Sequence, residues 1–368
     1  MEKRIFLASP KADGNEFIYV EEAFKSNWLA PLGPFVERLE NDFKKYMNIE
    51  GTTALSSGTS AIHLALKLAN VKRGDYVFVS TLTFSASVNP IIYEGGIPVF
   101  VDSDESLNMS PIALKKAFEK YKPKAVILVH LYGLATNIDE LKRICEENNT
   151  ILIEDAAEAL GSTYKGQKLG TFGKYGIISF NGNKIITTTG GGMLLTHSEK
   201  EAKKALFWAT QSRENKKYYE HKELGYNYRL SNVSAAIGCG QLENINKKIE
   251  KKRQIHDYYK EQFKDIKEIE IVDETKDVYS NYWLTIGIIN SNKISPLDII
   301  NRLEENNIES RHIWNPMQNQ PYFKEYDYIE DKNYSNEIFK KGICLPSDVN
   351  MTISEQDEVI RIIKEMFK

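Results

Sequence analysis

Six short apolar runs, separated by stretches of helical period, constrain the fold of this chain more than any other feature. They are YVFVS (76–80), IPVFVD (97–102), AVILVHLYG (125–133), TILIED (150–155), YGIISF (175–180) and GMLLT (192–196). Most are continuous rather than alternating, as strands buried on both faces of a parallel sheet require. The stretches between them carry single apolar stripes, such as Leu114, Ala117, Phe118 and Tyr121, or Ile138, Leu141, Ile144 and Cys145. Strand and helix alternating over residues 52–200 predict an α/β fold with a mostly parallel central sheet flanked by helices.

Beyond about residue 240 the pattern changes. Ile245, Ile249, Ile255, Tyr259 and Phe263 mark one long charged helix, at about 244–264, that connects to a smaller α+β portion. That portion has a strand near 283–289, a helix near 297–306 and a closing helix near 355–367. The chain thus divides into a large domain, 1–243, and a small C-terminal domain, 244–368. The lysine-rich stretch 247–253 reads as a solvated helix face.

Composition removes several function classes. The 48 basic and 51 acidic residues leave a formal net charge of −3 and are spread along the chain. They supply neither a basic face for nucleic acid nor a polybasic membrane anchor. Cys145, Cys239 and Cys344 are an odd count at wide spacing, which fits packing residues in a reducing compartment better than a disulfide framework or a metal site. The start, MEKRIFLASPKADG, is not a signal peptide, and no run of about 18 apolar residues follows. A cytoplasmic protein is expected.

Ligands of open α/β sheets bind beyond the carboxyl ends of the strands. The polar residues there are Ser56, Ser57, Gly58, Thr59 and Ser60, then Thr83 with Phe84, His130 and Tyr132, Asp155 and Glu158, and Ser179, Asn181 and Lys184. The stretch ALSSGTSAIHLALKLA runs from small hydroxyls and a glycine straight into an apolar helix. It reads either as an ordinary N-cap cluster or as a phosphate cradle formed by free amides and the helix dipole. Asp155 ends a buried strand, where an unpaired carboxylate costs on the order of several kcal/mol. It needs an arginine partner or a protonated heterocyclic nitrogen. Lys184, between an apolar run and three glycines, either snorkels to solvent or is kept poorly solvated, which favours a neutral nucleophilic amine. Pyridoxal phosphate answers all three features together, with its phosphate at Gly58, its ring nitrogen at Asp155 and its aldehyde at Lys184. Phe84 offers an aromatic face and Ser179 a hydroxyl, although core packing and capping are equally ordinary uses for them.

These motifs, together with NWLAPLGPFVERLE (27–40), TFSASVNPIIYEGGIPVFVD (83–102), GYNYRLSNVSAAIGCGQLE (225–243) and GICLPS (342–347), resemble the DegT/DnrJ family of nucleotide-sugar aminotransferases over essentially the whole chain. The wording of SNWLAPLGP, FNGNKIITT and GICLPS is similar to enzymes that aminate C4 of a UDP-linked 4-keto-6-deoxy-N-acetylglucosamine in bacillosamine-type synthesis. The resemblance implies fold type I, with pyridoxal phosphate joined to Lys184, Asp155 on the ring nitrogen, Phe84 stacked on the ring and Glu158 near the phenolic oxygen. Ser57, Gly58, Thr59 and Ser179 would hold the phosphate, with Asn227 reaching it from the neighbouring subunit of a homodimer. Glutamate and a nucleotide-linked keto sugar would be the substrates. Asn27, Trp28, Arg229, Arg311, His312 and Trp314 are the candidates for binding the sugar nucleotide. Glu158 stands where many relatives carry glutamine, and Gly191 where many carry glutamate. A sugar dehydratase of the same family would replace Lys184 with histidine. A non-catalytic cofactor-binding regulator would need a DNA-binding appendage that is not visible, and no G-x-G-x-x-G follows the early strands to mark a dehydrogenase.

Overall fold

Period-two alternation within each apolar run feeds two hydrophobic layers, which is why the runs form strands in the computed structural model, which describes residues 4–368. The strands are β1 (Gly51–Leu55), β2 (Tyr76–Ser80), β3 (Ile97–Val101), β4 (Ala125–Val129), β5 (Ile151–Asp155), β6 (Tyr175–Ser179) and β7 (Gly192–Thr196). On β4, Val126 and Leu128 pack into one layer with Leu114, Ala117 and Ile144, while Ala125 and Ile127 enter another with Ile62 and Leu66. The predicted helical stripes are therefore the covers of this sheet.

The sheet has eight strands in the order β1-β7-β6-β5-β4-β2-β3-β11, where β11 is Tyr328–Ile329. Pairings among β6, β5, β4, β2, β3 and β11 are parallel, and β7 runs antiparallel to both β6 and β1. Two of the eight strands carry no apolar run. GTTAL of β1 is interrupted by two threonines, and β11 supplies only two residues, opposite Phe100 and Val101.

The second sheet has the order β8-β9-β12-β10, from Ile269–Ile271, Thr285–Ile289, Gly342–Leu345 and Arg311–His312. Its core takes Ile255, Tyr259 and Phe263 from the long helix Ile245–Phe263, and Val359 and Ile363 from the closing helix Ile353–Met366. The helices Pro296–Glu305 and Ile353–Met366 both open on capping boxes, Ser295 with Asp298 and Thr352 with Glu355. Two segments pack across from one of these two larger sheets to the other. Ile5 bridges to Ile308, whereas Met317 and Phe323 pack against the layer under β2 and β4. A third cluster joins them, with Leu82, Leu131 and Tyr132 from the ends of β2 and β4 packed on Trp283, Leu284, Ile286 and Cys344. This seam floors the candidate site.

All three cysteines are free and buried. One expectation about the long helix is corrected. Lys248 and Lys252 are each only 3% exposed, so the lysine-rich stretch is not simply a solvated face. Lys248 Nζ donates to the carbonyl of Lys11 and to Gln241, and Lys252 Nζ donates to the carbonyl of Trp283 at 2.8 Å. Charge-run reasoning missed them because i and i+4 on this long helix share a buried stripe.

Burial brings the Lys252 ammonium down from 10.5 to about 7. The unfolded chain therefore binds more protons than the folded chain between these values, and stability rises with pH across that window, by at most about 1.4 kcal/mol per unit. In Lys252→Met this dependence disappears. The urea midpoint of the wild type should climb more steeply from pH 7 to 10 than that of the variant, and equal slopes would contradict the burial of a titrating amine.

Candidate active site

The carboxyl ends of β1, β2, β4, β5 and β6 open into one cavity of about 460 Å³, lined by Ser57, Gly58, Thr59, Phe84, Asp155, Glu158, Ser179 and Lys184 among others. At one end lies the helix Gly58–Leu68. Its N-cap, Ser57, forms a capping box with Ser60: the Ser57 hydroxyl accepts from the Ser60 amide at 3.0 Å, and the Ser57 amide donates to the Ser60 hydroxyl at 3.1 Å. The cap and cradle readings are thus compatible. The cap satisfies the Ser57 and Ser60 amides and leaves those of Gly58 and Thr59, in the first turn, for an anion. Its cost is that the Ser57 hydroxyl is committed to the helix. A Cβ on Gly58 would lie 3.3 Å from Ser179 Cβ, so glycine keeps this end open. The Ser179 hydroxyl accepts from the Asn181 amide at 3.4 Å.

At the other end, Asp155 is 5% exposed. Its Oδ2 accepts from the Ser87 hydroxyl at 2.6 Å, which in turn contacts Thr83 Oγ1 at 2.6 Å, and its Oδ1 accepts from the Ala157 amide at 3.1 Å. No arginine or lysine pairs with it among the described residues, which removes the structural ion-pair reading. The neighbouring Glu154, on the opposite face of β5, accepts instead from the amides of Gly170, Phe172 and Gly173 and from His130 Nε2 at 2.8 Å. Burial opposes its charge, but these donors hold the Glu154 carboxyl below its usual range. His130 is therefore a buried partner of Glu154 and not a cavity residue.

Lys184 is 12% exposed in its side chain, and its Nζ lies 3.3 Å from Glu158 Oε1 and 3.8 Å from the centre of the Trp283 ring. The amine is thus held in a poorly solvated place, between a carboxylate and an aromatic face. Glu158 Oε2 accepts from the Tyr132 amide at 2.8 Å. Burial pushes the Glu158 carboxyl up, and the Asp155 charge adds to the rise against the pull of Lys184 and Tyr132. Tyr132 sits at φ 56°, and its ring stacks on Trp283, so a strained turn after β4 orders both neighbours of the lysine.

Phe84 is 54% exposed at the cavity mouth, tilted against Trp314 with centroids 5.3 Å apart, and is not a core residue. Arg311 and Trp314 also line the cavity, and His312 lines a smaller one beside it. Gly191 lines the cavity with φ 155°, and a Cβ there would lie 2.3 Å from Thr188 Oγ1, so any larger residue at this position would be strained.

Three expected substrate residues do not reach the cavity of their own chain. Arg229 is a buried structural cation, paired with Glu40 at 2.5 Å and donating to the Ala54 carbonyl. It ties the strand end of β1 to the helix Pro34–Met47 and lies outside the cavity lining. Asn27 and Trp28 stand exposed on the N-terminal segment, outside the cavity lining. Asn227 is also exposed and outside it, accepting from Gln211 at 3.2 Å. Conversely, Ser87, Asn183 and Trp283 belong to the site without having been singled out. Ser87 follows Phe84 within a short turn, and Trp283 lies 99 positions from Lys184 in a run that reads as strand, so neither carries a local signal.

The residues fit pyridoxal phosphate: free helix-start amides for a dianion, an uncompensated buried carboxylate for a protonated ring nitrogen, and one lysine amine in the same cavity. Residues 10–364 match the DegT/DnrJ/EryC1/StrS aminotransferase family. The chain is 46% identical, over its whole length and 97% of the relative's, to EpsN of Bacillus subtilis, which is provisionally named a pyridoxal phosphate-dependent aminotransferase. It is 36% identical to the GDP-perosamine synthase of Vibrio cholerae, over 97% and 98% of the two chains. The fold superposes with a TM-score of 0.92 on the PLP form of Spr1654 from Streptococcus pneumoniae, provisionally a sugar aminotransferase, at 25% identity over 99% of both chains. With this geometry and these relatives, the chain belongs to the DegT/DnrJ/EryC1/StrS family of pyridoxal phosphate-dependent sugar aminotransferases.

Proposed function

We propose that this enzyme moves the amino group of glutamate to the C4 ketone of a nucleotide-linked keto-deoxy sugar, with UDP-2-acetamido-4-keto-2,6-dideoxyglucose as the acceptor. The observation that carries the transfer chemistry is the convergence of Lys184, Asp155 and the start of the helix at Gly58 on one cavity. The wording of the SNWLAPLGP, FNGNKIITT and GICLPS segments supports the acceptor. A GDP-linked sugar is the second reading, supported by the 36% identity to a GDP-perosamine synthase.

Pyridoxal phosphate, when bound, supplies an aldehyde that links to amines and a ring that accepts electrons. The protein's own residues then do the rest. Gly58 and Thr59 amides, with the helix dipole, take the phosphate charge. Asp155, oriented by Ser87 and the Ala157 amide, holds the proton of the ring nitrogen. Lys184 Nζ takes the proton from the carbon that gives up the amine and delivers one to the carbon that receives it, a role in which a positioned base contributes about 10²- to 10⁴-fold. Glu158 lies close enough at 3.3 Å to hold that amine in place between the two transfers.

The reading includes a homodimer with shared active sites. Its support is that Phe17, Ile18, Phe24, Trp28, Leu29 and Leu32 expose an apolar stretch on the N-terminal segment, while Asn227 lies outside its own cavity. Sedimentation at micromolar concentration should report a dimer, and a monomer would remove Asn227, Asn27 and Trp28 from the site.

Incubation of the loaded enzyme with glutamate and a panel of UDP-, GDP- and dTDP-linked 3-keto and 4-keto sugars, read by mass spectrometry, tests the function. Amination of the UDP-linked 4-keto acceptor is expected. Amination of the GDP-linked sugar alone would select the second reading, and no amination of any sugar would reject the transfer. Lys184→Ala should lower the rate by at least about 10²-fold.

A further inference from the structure

Lys184 stands in the turn that follows β6, and its place there is not set by that turn alone. Its amide makes one local bond, to the Asn181 carbonyl at 3.0 Å. The rest comes from Trp283, which precedes β9 and is 2% exposed. The Trp283 ring N–H donates to the carbonyl of Asn183 at 2.7 Å, and the centre of the same ring lies 3.8 Å from Lys184 Nζ. One side chain from far along the sequence therefore meets the lysine twice, at the peptide before it and at the amine. Packing of the seam accounts for a buried ring, but not for a ring face turned to the reacting amine.

Trp283 is itself held on several sides. Its amide donates to Asn281 Oδ1 at 2.8 Å, its carbonyl accepts from Lys252 Nζ at 2.8 Å, and its ring stacks on Tyr132 at an interplanar angle of 17°. Asn281 is fully buried, and its NH₂ group donates to the carbonyls of Glu158 and Leu160 at 3.0 Å each. Two carbonyls on one side and an amide on the other leave no choice of which way this side chain faces. Asn281 thus ties the backbone of Glu158 to that of Trp283, the two neighbours of the Lys184 amine. Between Asn281 and Trp283, Tyr282 holds a left-handed backbone at φ 42°, a conformation that a bulky residue keeps only where its surroundings enforce it. Across the seam a Cβ on Gly133 would lie 2.0 Å from Asn281 Oδ1, so the glycine there is what admits the asparagine.

We propose that Asn281 and Trp283 are positioning residues that hold the Lys184 amine in place for its two proton transfers. The inference rests on the aminotransferase reading and deepens it. A base works only within hydrogen-bond reach of the proton it moves, and a displacement of about 1 Å can cost about 10²-fold in rate. A lysine amine on its long flexible stem would sample many positions once free. Glu158 Oε1 at 3.3 Å and the Trp283 face draw it to one. The ring face attracts the amine while it carries the proton, yet forms no directed bond that must break before the proton is given up. The N–H bond to Asn183 fixes where the side chain starts, and the ring face with Glu158 fixes where it ends.

Two measurements test the assignment, on Trp283→Phe, which keeps a ring but loses the N–H, and on Asn281→Ser. The first is amide hydrogen exchange of the cofactor-free protein. Exchange across residues 181–188 should quicken about 5-fold in Trp283→Phe, while the peptides of β4 and β5 keep the wild-type rate. The second follows the fading of the lysine-bound cofactor's absorbance in single turnovers with L-glutamate and no sugar. The limiting rate should fall about 10-fold in both variants, with the glutamate concentration for half-maximal rate held within about 2-fold. A merely structural role would move the folding stability and the share of protein that takes up cofactor, but not the limiting rate of the loaded fraction. Either an unchanged exchange rate across 181–188 or an unchanged limiting rate in Trp283→Phe would overturn the proposal and leave aminotransfer intact. If Asn281→Ser does not fold, Trp283→Phe alone decides. Failure of the wild type to lose its absorbance with any amino acid would instead reject aminotransfer itself.

Discussion

A buried carboxylate without a counter-cation is the constraint on which this site depends. Asp155 is held by one hydroxyl and one backbone amide, and Lys184, in the same cavity, pairs with Glu158 instead. Two neutral donors stabilise a buried anion only partly, so the folded chain keeps an unmet demand for positive charge at the end of β5. A protonated ring nitrogen meets that demand. Pyridoxal phosphate bound with its ring nitrogen at Asp155 would supply an electron-withdrawing ring toward Lys184.

The scaffold delivers this arrangement through ordinary sheet geometry. Parallel strands place their carboxyl ends together, so β5 brings Asp155, β6 brings Ser179 and the turn beyond it brings Lys184 to one edge. Adjacent residues on β5 face opposite ways, which separates Glu154, satisfied by three amides and His130, from Asp155, which is not. The seam between the sheets supplies the remaining wall. Tyr132 links the Glu158 carboxylate, the Trp283 ring and the Trp314 amide, so the acidic side of the site is braced by residues of both sheets.

What was legible in the sequence follows the range of the interactions. Continuous apolar runs and single helical stripes report local burial, so the six strands and their covering helices could be read directly. GTTAL and Tyr328–Ile329 could not, since a threonine-rich edge and a two-residue strand take their structure from partners far along the chain. In the site, Gly58, Asp155 and Lys184 carry unusual chemistry in an unusual local setting and were visible. Trp283 looks like any strand residue until the fold sets it against Lys184. The pairing of Arg229 with Glu40, 189 positions away, likewise cannot be seen in YNYRLSN. Lys248 and Lys252 looked like a solvated charge run for the same reason.

The most direct test of the central claim is the ¹⁵N chemical shift of the ring nitrogen of isotopically labelled pyridoxal phosphate bound to the enzyme. A protonated nitrogen in the wild type from pH 6 to 9, lost in Asp155→Ala, is the result this account predicts. A wild-type ring nitrogen that is unprotonated at pH 7 would contradict it.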